Sequence, residues 1–500
     1  MTTAPQSASV DVDDQEPPPS RAKRIGLVAG PVAAAAVHLL LAIGQPGLSA
    51  DGRLVASVAA LMAVWWMTEA LPFAATALLP LLLFPLLGVT EFDTAATPYA
   101  NDTIFLFMGG FMLAAGMQRW NLHTRIALAI VAVMGTSTTR IIAGFMIATT
   151  FITMWVSNSA STMMMVPIGL SLVHLSARGG EPDRNFATCV VLGIAYAATI
   201  GGMASTIGAA PNAMLAAYLG EAHGIEVTFL DWFLTMLPVV LVFLVVAWFL
   251  LTRVIFRIRT PELPGGAELI AEQRATLGRM SRGEARLLAV FAAGALSWVV
   301  FPLLARTPLV EVVPWLSRMS DATVAIAVIV ALFLVPSGQR PGQRLMTWSD
   351  TREVPWGVLL LFGGGLSLSA QFSATDLGDW VAEFFGSLSA LPLVAVVAAM
   401  AVVVVLVGEL MSNTAATALF LPIAGGVAIA LGADPVILPV AITMAASVGF
   451  VLPVATPPNA IAFASGHVTT GQMAKAGGAL DLVGLLLVVA AAHTVVPLML

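Results

Sequence analysis

Ser157-Asn158-Ser159-Ala160-Ser161-Thr162 and Ser412-Asn413-Thr414-Ala415-Ala416-Thr417 are short polar stretches set inside apolar sequence, and they read as one motif written twice. A shift of 255 residues carries Ser157 to Ser412, Asn158 to Asn413, Thr162 to Thr417 and Pro167 to Pro422. The same shift lays Phe107-Met108-Gly109-Gly110 onto Phe362-Gly363-Gly364-Gly365. Downstream, Gly208-Ala209-Ala210-Pro211-Asn212-Ala213 and Ala455-Thr456-Pro457-Pro458-Asn459-Ala460 form a second pair related by 247 residues, so eight residues are lost between motifs while their order is kept. An internal repeat whose polar breaks recur in both halves is the signature of a secondary transporter in which each half supplies part of one midplane site.

Composition sets the solvent. Of the 500 residues, 59% are hydrophobic and only 10% charged, with a mean hydropathy of +0.94, whereas soluble domains carry about 25% charged residues. The chain therefore reads as an all-α polytopic membrane protein. The net charge of −6 says little about partners, because the placement of Lys and Arg sets orientation and the sum does not, and nothing points to nucleic acid. The single Cys189 rules out a disulfide within the chain, and the six scattered histidines form no zinc-type cluster.

Residues 1–24 read as a disordered cytoplasmic tail, since the first twenty are rich in Pro, Ser and Asp and hold no apolar signal core. Arg21, Lys23 and Arg24 precede the first transmembrane helix, residues 25–50, which places the N-terminus inside. Repeat 1 covers 51–252. Glu69 and Pro72 mark a break between two spans in 54–89, and a span near 103–117 exits into Arg119, His123 and Arg125. Residues 121–135 read as an interfacial amphipathic helix. Residues 141–177 hold no acidic or basic side chain other than His174, and Arg140 on one flank with Arg178 and Arg184 on the other make them a re-entrant hairpin. Residues 186–219 form a broken helix, and 253–286, rich in arginine, are the cytoplasmic linker. Repeat 2, residues 287–500, follows the same plan, with a hairpin at 391–430 and a broken helix at 437–464. The exit of its glycine-bearing span is acidic, at Asp376, Asp379 and Glu383, where the first was basic, so the two copies cross in opposite directions and the C-terminus lies outside. The total is about 11 transmembrane helices plus two hairpins in an inverted repeat.

At a hairpin tip or a helix break, N–H and C=O groups lose their helical partners and need others. Helix N-termini suit a carboxylate, while unwound carbonyls suit a small hard cation. Asn158 and Asn413 serve both purposes, since an amide carries one acceptor oxygen and two donors, and Ser159 and Thr414 add hydroxyls. No Lys or Arg lies near these motifs, so a buried anion needs bound cations to neutralise it, and sodium then couples to the substrate. Glu69 and Glu409 are read as the intramembrane carboxylates, each capping a helix or facing a domain interface, and they offer no proton relay. The glycine pairs are read as close-packing points.

These residues, with Thr68-Glu69-Ala70-Leu71-Pro72, resemble the divalent anion:sodium symporter family, the INDY-type di- and tricarboxylate transporters, from about residue 50 to 500. The resemblance implies a homodimer in which a moving transport domain carries substrate past a static scaffold, an elevator, in the cell membrane. It implies one sodium at Thr153, Ser157, Asn158 and Gly208, and a second at Gly408, Met411, Asn413 and Ala455. Substrate carboxylates would meet Asn158, Ser159, Asn413, Thr414 and Pro457. Three positions depart from the family pattern: Ser159 where Thr is usual, Ala210-Pro211 where two prolines are common, and Gly408, which lacks the hydroxyl of its repeat mate Thr153.

The expected activity is sodium-coupled symport of a C4-dicarboxylate such as succinate, fumarate or malate, with no cofactor besides Na+ as the coupling ion. Citrate or sulfate transport, or sodium-independent exchange, stays open within the same class. An anion channel is disfavoured by paired broken elements. A membrane hydrolase lacks its motifs: neither His-Glu-x-x-His nor Gly-x-Ser-x-Gly occurs.

Overall fold

The computed structural model describes residues 21–45, 47–176, 183–258, 262, 266–385 and 391–500. Most of the expected N-terminal tail, together with Arg178, lies outside them. Among the described residues the only β features are two isolated bridges, Ser137 with Glu262 and Pro336 with Arg344. The rest is helix and connecting turn, and apolar side chains such as Val28, Leu40, Val245 and Leu296 stand exposed on helix faces. Faces of this kind are stable against lipid and not against water. The protein is an all-helical polytopic membrane protein.

Eight helices among the described residues are long and apolar enough to cross a bilayer, or nine if Phe92–Ala100 and Asp102–Arg119, bent by 41°, count as one span. The sequence reading expects about eleven. The difference arises where the chain breaks. Residues 437–464, read as one interrupted span, are two helices of 10 and 8 residues, Ile437–Ala446 and Pro457–Ala464. The region after Glu69 splits into Phe73–Thr76 and Leu79–Leu86, and Asp321–Leu334 has only 14 residues. The linker also differs from a plain loop. Phe229–Phe249 runs on through a π-helical turn to Ile255, and Gly266–Thr276 is helical.

Both hairpins are seen as two helices joined by a short bend and packed together: Thr138–Thr153 with Asn158–Ser176, and Leu393–Gly408 with Asn413–Ala430. The returning helix of each packs on the broken helix of the other half. Asn158–Ser176 lies against Pro457–Ala464, and Asn413–Ala430 against Ala210–His223. The halves are interlocked and do not stand side by side.

Glycine makes the close approaches, as expected from the repeated pairs. A Cβ on Gly109 would sit 2.5 Å from Ala325 Cβ, one on Gly110 2.2 Å from Ile207, and one on Gly364 2.3 Å from the Ala77 carbonyl oxygen. The repeat mates Phe107 and Phe362 meet edge to face, ring centroids 5.0 Å apart. Near the N-terminus Gly26 and Gly30, spaced as in a membrane helix-packing motif, take Thr68 and Trp65 of Ala50–Thr68 against their bare backbone.

Between Glu69 and Pro72 the chain does turn sharply. Glu69 caps Ala50–Thr68 in the left-handed region at φ 48° and lies 3.4 Å from Lys23 in an exposed ion pair. Arg125 fastens the linker to the first half by donating to Glu284 at 3.1 and 3.3 Å and to the Leu277 and Gly278 carbonyls at 3.1 Å.

Gly364→Ala is expected to lower the melting temperature of the detergent-purified protein, by an overpacking cost of about 1–3 kcal/mol, because the obstacle is backbone. Gly478→Ala, whose Cβ would meet nothing within 4 Å, should leave it unchanged or slightly raised.

Candidate functional site

Each polar motif begins a helix, and the motif residues are what make it begin. The Ser157 hydroxyl accepts from Ala160 N–H at 3.4 Å and its repeat mate Ser412 from Ala415 N–H at 3.2 Å, the geometry of an N-cap. Thr162 donates to the Asn158 carbonyl at 2.7 Å and Thr417 to the Asn413 carbonyl at 2.8 Å. The hydroxyls of Ser157, Thr162, Ser412 and Thr417 are thus occupied in shaping the bend. Thr153 Oγ1 is also committed, donating to the Thr149 carbonyl at 2.7 Å. That bond uses the proton of the hydroxyl and leaves its lone pairs, so both the hydroxyl and the carbonyl of Thr153 are able to face a cation.

The breaks in the long helices are built alike in both halves. The first runs from Met203 to Ala209 and the second from Ser447 to Thr456. The Asn212 amide donates to the Gly202 and Ser205 carbonyls at 2.9 and 2.7 Å, and the Asn459 amide to those of Gly449 and Leu452 at 3.2 and 3.0 Å. All three pairs of positions are related by the shift of 247. One buried amide thus folds each break by taking the carbonyls that the helix has lost. The sequence reading quotes both asparagines inside the motif and gives them no role.

The structure brings several of the expected ligands together. A Cβ on Gly208 would lie 2.9 Å from the Thr153 carbonyl oxygen, so hairpin and break touch there through backbone. Around Gly449 the same measure finds Ala455 Cβ at 3.6 Å, Glu409 Oε1 at 3.8 Å and the Gly408 carbonyl at 4.0 Å. Thr153, Gly208, Gly408, Met411 and Ala455 are buried, while Asn158, Ser159, Asn413 and Thr414 are half-buried and Pro457 is exposed. Ser157 is half-buried as well, so each expected cation set joins buried backbone positions to a half-buried asparagine that the expected substrate set shares. Asn413 Oδ1, Ser161 Oγ and Thr206 Oγ1 are shielded from solvent and have no hydrogen-bond partner. An orphaned amide oxygen beside a bend of free carbonyls is suited to a hard cation. In the first half the matching Asn158 oxygen already accepts from Ser159 N–H at 2.9 Å.

Two carboxylates stand at the second break, where the sequence reading has one. Glu409 accepts from Val451 and Leu452, and Asp481, on the helix Thr470–Thr494, accepts from Phe450. Asp481 was hidden inside a run read only for its hydropathy. The expected absence of intramembrane carboxylates beyond Glu69 and Glu409 is corrected accordingly, and Glu69 itself is exposed. A separate cavity of about 890 Å³ reaches the first break at Thr206. Asp102, Glu221, Glu226, Asp231 and Asp321 line it against Arg306 and Arg318, so its acidic excess favours cations over anions.

Residues 24–500 match the family described as the sodium:sulfate symporter transmembrane region. The chain is 38% identical to the sodium-dependent dicarboxylate transporter SdcS of Staphylococcus saprophyticus over 95% of its own length and 91% of that protein's. It is 37% identical to SdcS of Staphylococcus aureus strain USA300 over 97% of its own length and 93% of that protein's. Among solved structures it is similar in fold to the YdaH transporter of Alcanivorax borkumensis, with a TM-score of 0.55 at 13% identity, covering 88% of this chain and 97% of that one.

Asn212→Ala and Asn459→Ala each strip two buried carbonyls of their donors, at about 1–3 kcal/mol per unsatisfied group. Both variants should melt well below the wild type in detergent, the two by similar amounts. A normal melting curve for either would mean that its amide does not hold the break.

Proposed function

The chain belongs to the sodium:sulfate symporter family, a family of transporters and not of enzymes, and from that premise we propose that it is a sodium-coupled symporter of C4-dicarboxylates such as succinate, fumarate or malate. The observation that carries the reading is the orphaned Asn413 Oδ1 at a bend with no Lys or Arg nearby in sequence. The names of the staphylococcal relatives specify sodium and dicarboxylate, and so support both halves of the proposal.

In this reading sodium is cargo. One ion is held by the Thr153, Ser157 and Gly208 carbonyls with Asn158, the other by the Gly408, Met411 and Ala455 carbonyls with Asn413. The substrate carboxylates then meet Asn158, Ser159, Asn413, Thr414 and the N-terminus of the helix that starts at Pro457. Each sodium lowers the cost of burying the dianion, and by linkage the dianion raises the affinity for sodium. The two bent helix pairs act as re-entrant hairpins of an inverted repeat, domains bounded as the charge pattern sets them. They move together past the outer helices in an elevator motion within a homodimer. The N-terminus lies in the cytoplasm, the C-terminus outside, and the location is the cell membrane.

Purified protein in liposomes is expected to take up labelled succinate when an inward sodium gradient is imposed and not with potassium alone. Asn158→Ala and Asn413→Ala should each reduce that uptake at least tenfold. Uptake that ignores sodium and requires succinate inside would make the protein an exchanger. Uptake of citrate or sulfate in place of succinate would keep the coupling and move the substrate.

A further inference from the structure

Each break is tied to its own hairpin, and the two ties join the same two positions with the chemistry reversed. In the first half the Ser205 hydroxyl donates to the Met154 carbonyl at 2.5 Å. The repeat shifts carry Met154 to Glu409 and Ser205 to Leu452. There the main chain is the donor: Leu452 N–H reaches Glu409 Oε2 at 2.8 Å, and Val451 N–H reaches Oε1 at 3.1 Å. Phe450 N–H completes the row with Asp481 Oδ1 at 3.1 Å. Three successive N–H groups of the second break are held by two carboxylates, where the first break is held by a neutral hydroxyl.

We propose that Glu409, with Asp481 beside it, is the positioning residue of the second cation site: it fixes the break that presents Ala455, and its charge favours sodium there. The proposal rests on the sodium-coupled reading above. Two features separate this role from ordinary helix capping. Glu409 is the C-cap residue of Leu393–Gly408, yet its side chain serves backbone 42 and 43 residues further along. It also directly follows Gly408, whose carbonyl borders the same spot at Gly449 as Glu409 Oε1 and Ala455 do. Neither carboxylate takes part in the ion pairs found among the described residues, Lys23 with Glu69, Arg119 with Asp350, Arg125 with Glu284 and Arg306 with Asp231. A carboxylate in a poorly solvated place with no basic partner attracts a small cation strongly. The two cation sites are therefore built differently, the first break being tied by a hydroxyl and the second by a carboxylate.

The test is the melting temperature of the full chain in detergent at fixed pH as sodium chloride replaces choline chloride at constant total salt. Sodium should raise the melting temperature of the wild type. Glu409→Gln should move the half-saturating sodium concentration up at least tenfold, and Asp481→Asn severalfold. Should Glu409→Gln fail to fold, Glu409→Asp and Asp481→Asn give the same reading. A variant that melts lower without sodium but keeps the wild-type sodium midpoint would show a merely structural carboxylate and overturn the proposal. A wild type indifferent to sodium would instead overturn the sodium-coupled reading beneath it, so the two failures are told apart.

Discussion

A helix that stops inside a membrane leaves N–H and C=O groups with no water to turn to, and the whole structure is arranged around satisfying them. Among the described residues, two bends and two breaks within apolar sequence show how it is done. At each stop small polar residues take up most of the loose groups: Ser157 and Ser412 as caps, Asn212 and Asn459 as carbonyl partners, Ser205 and Glu409 as ties. The glycines serve the same end from outside. Where Gly110 faces Ile207, Gly201 faces the Thr150 backbone and Gly477 faces the Phe450 carbonyl, the surrounding helix comes close enough to enclose the interrupted chain.

Duplication gives two copies of this solution, and the copies have diverged in one respect. The amide that folds each break is kept at corresponding positions with corresponding acceptors, while the tie to the hairpin changes from hydroxyl to carboxylate. Geometry is shared and charge is not. Each hairpin packs on the other half's broken helix, so the difference lies within one interlocked set of helices, alike in shape and unlike in electrostatics.

Much of this is legible in the sequence. The shift of 255 found both bends because their local requirement, a cap followed by a small-residue helix, can be met by few residue types. The glycine pairs were legible for a similar reason. The span count was not, because hydropathy measures the length of an apolar run and ignores a backbone interruption within it, as at 437–464. Nor was the place of Asp481 legible. Its significance lies in an acceptor role toward Phe450, 31 residues away in sequence, and nothing in its own apolar surroundings announces that partner. The candidate ligand sets came from the family resemblance, yet which of their residues are buried and which half-buried needed the fold. So did the finding that the Thr153 hydroxyl donates to the Thr149 carbonyl and the Ser157 hydroxyl accepts from Ala160 N–H.

The electrostatics of the bends also explain why coupling would be built in and not added. Four helices start at the motifs, at Asn158, Ala210, Asn413 and Pro457, and each N-terminus offers about half a positive charge that fades within one turn. Such partial charges orient a dianion without neutralising it. No Lys or Arg lies in 141–177, 185–220 or 384–433 to do so, and the one charged residue in those stretches, Glu409, has the wrong sign. Two sodium ions would supply a charge of about +2 at the same place, and Glu409 would draw one of them there. A site made this way would hold its anion only when its cations are present, because those stretches offer it no Lys or Arg.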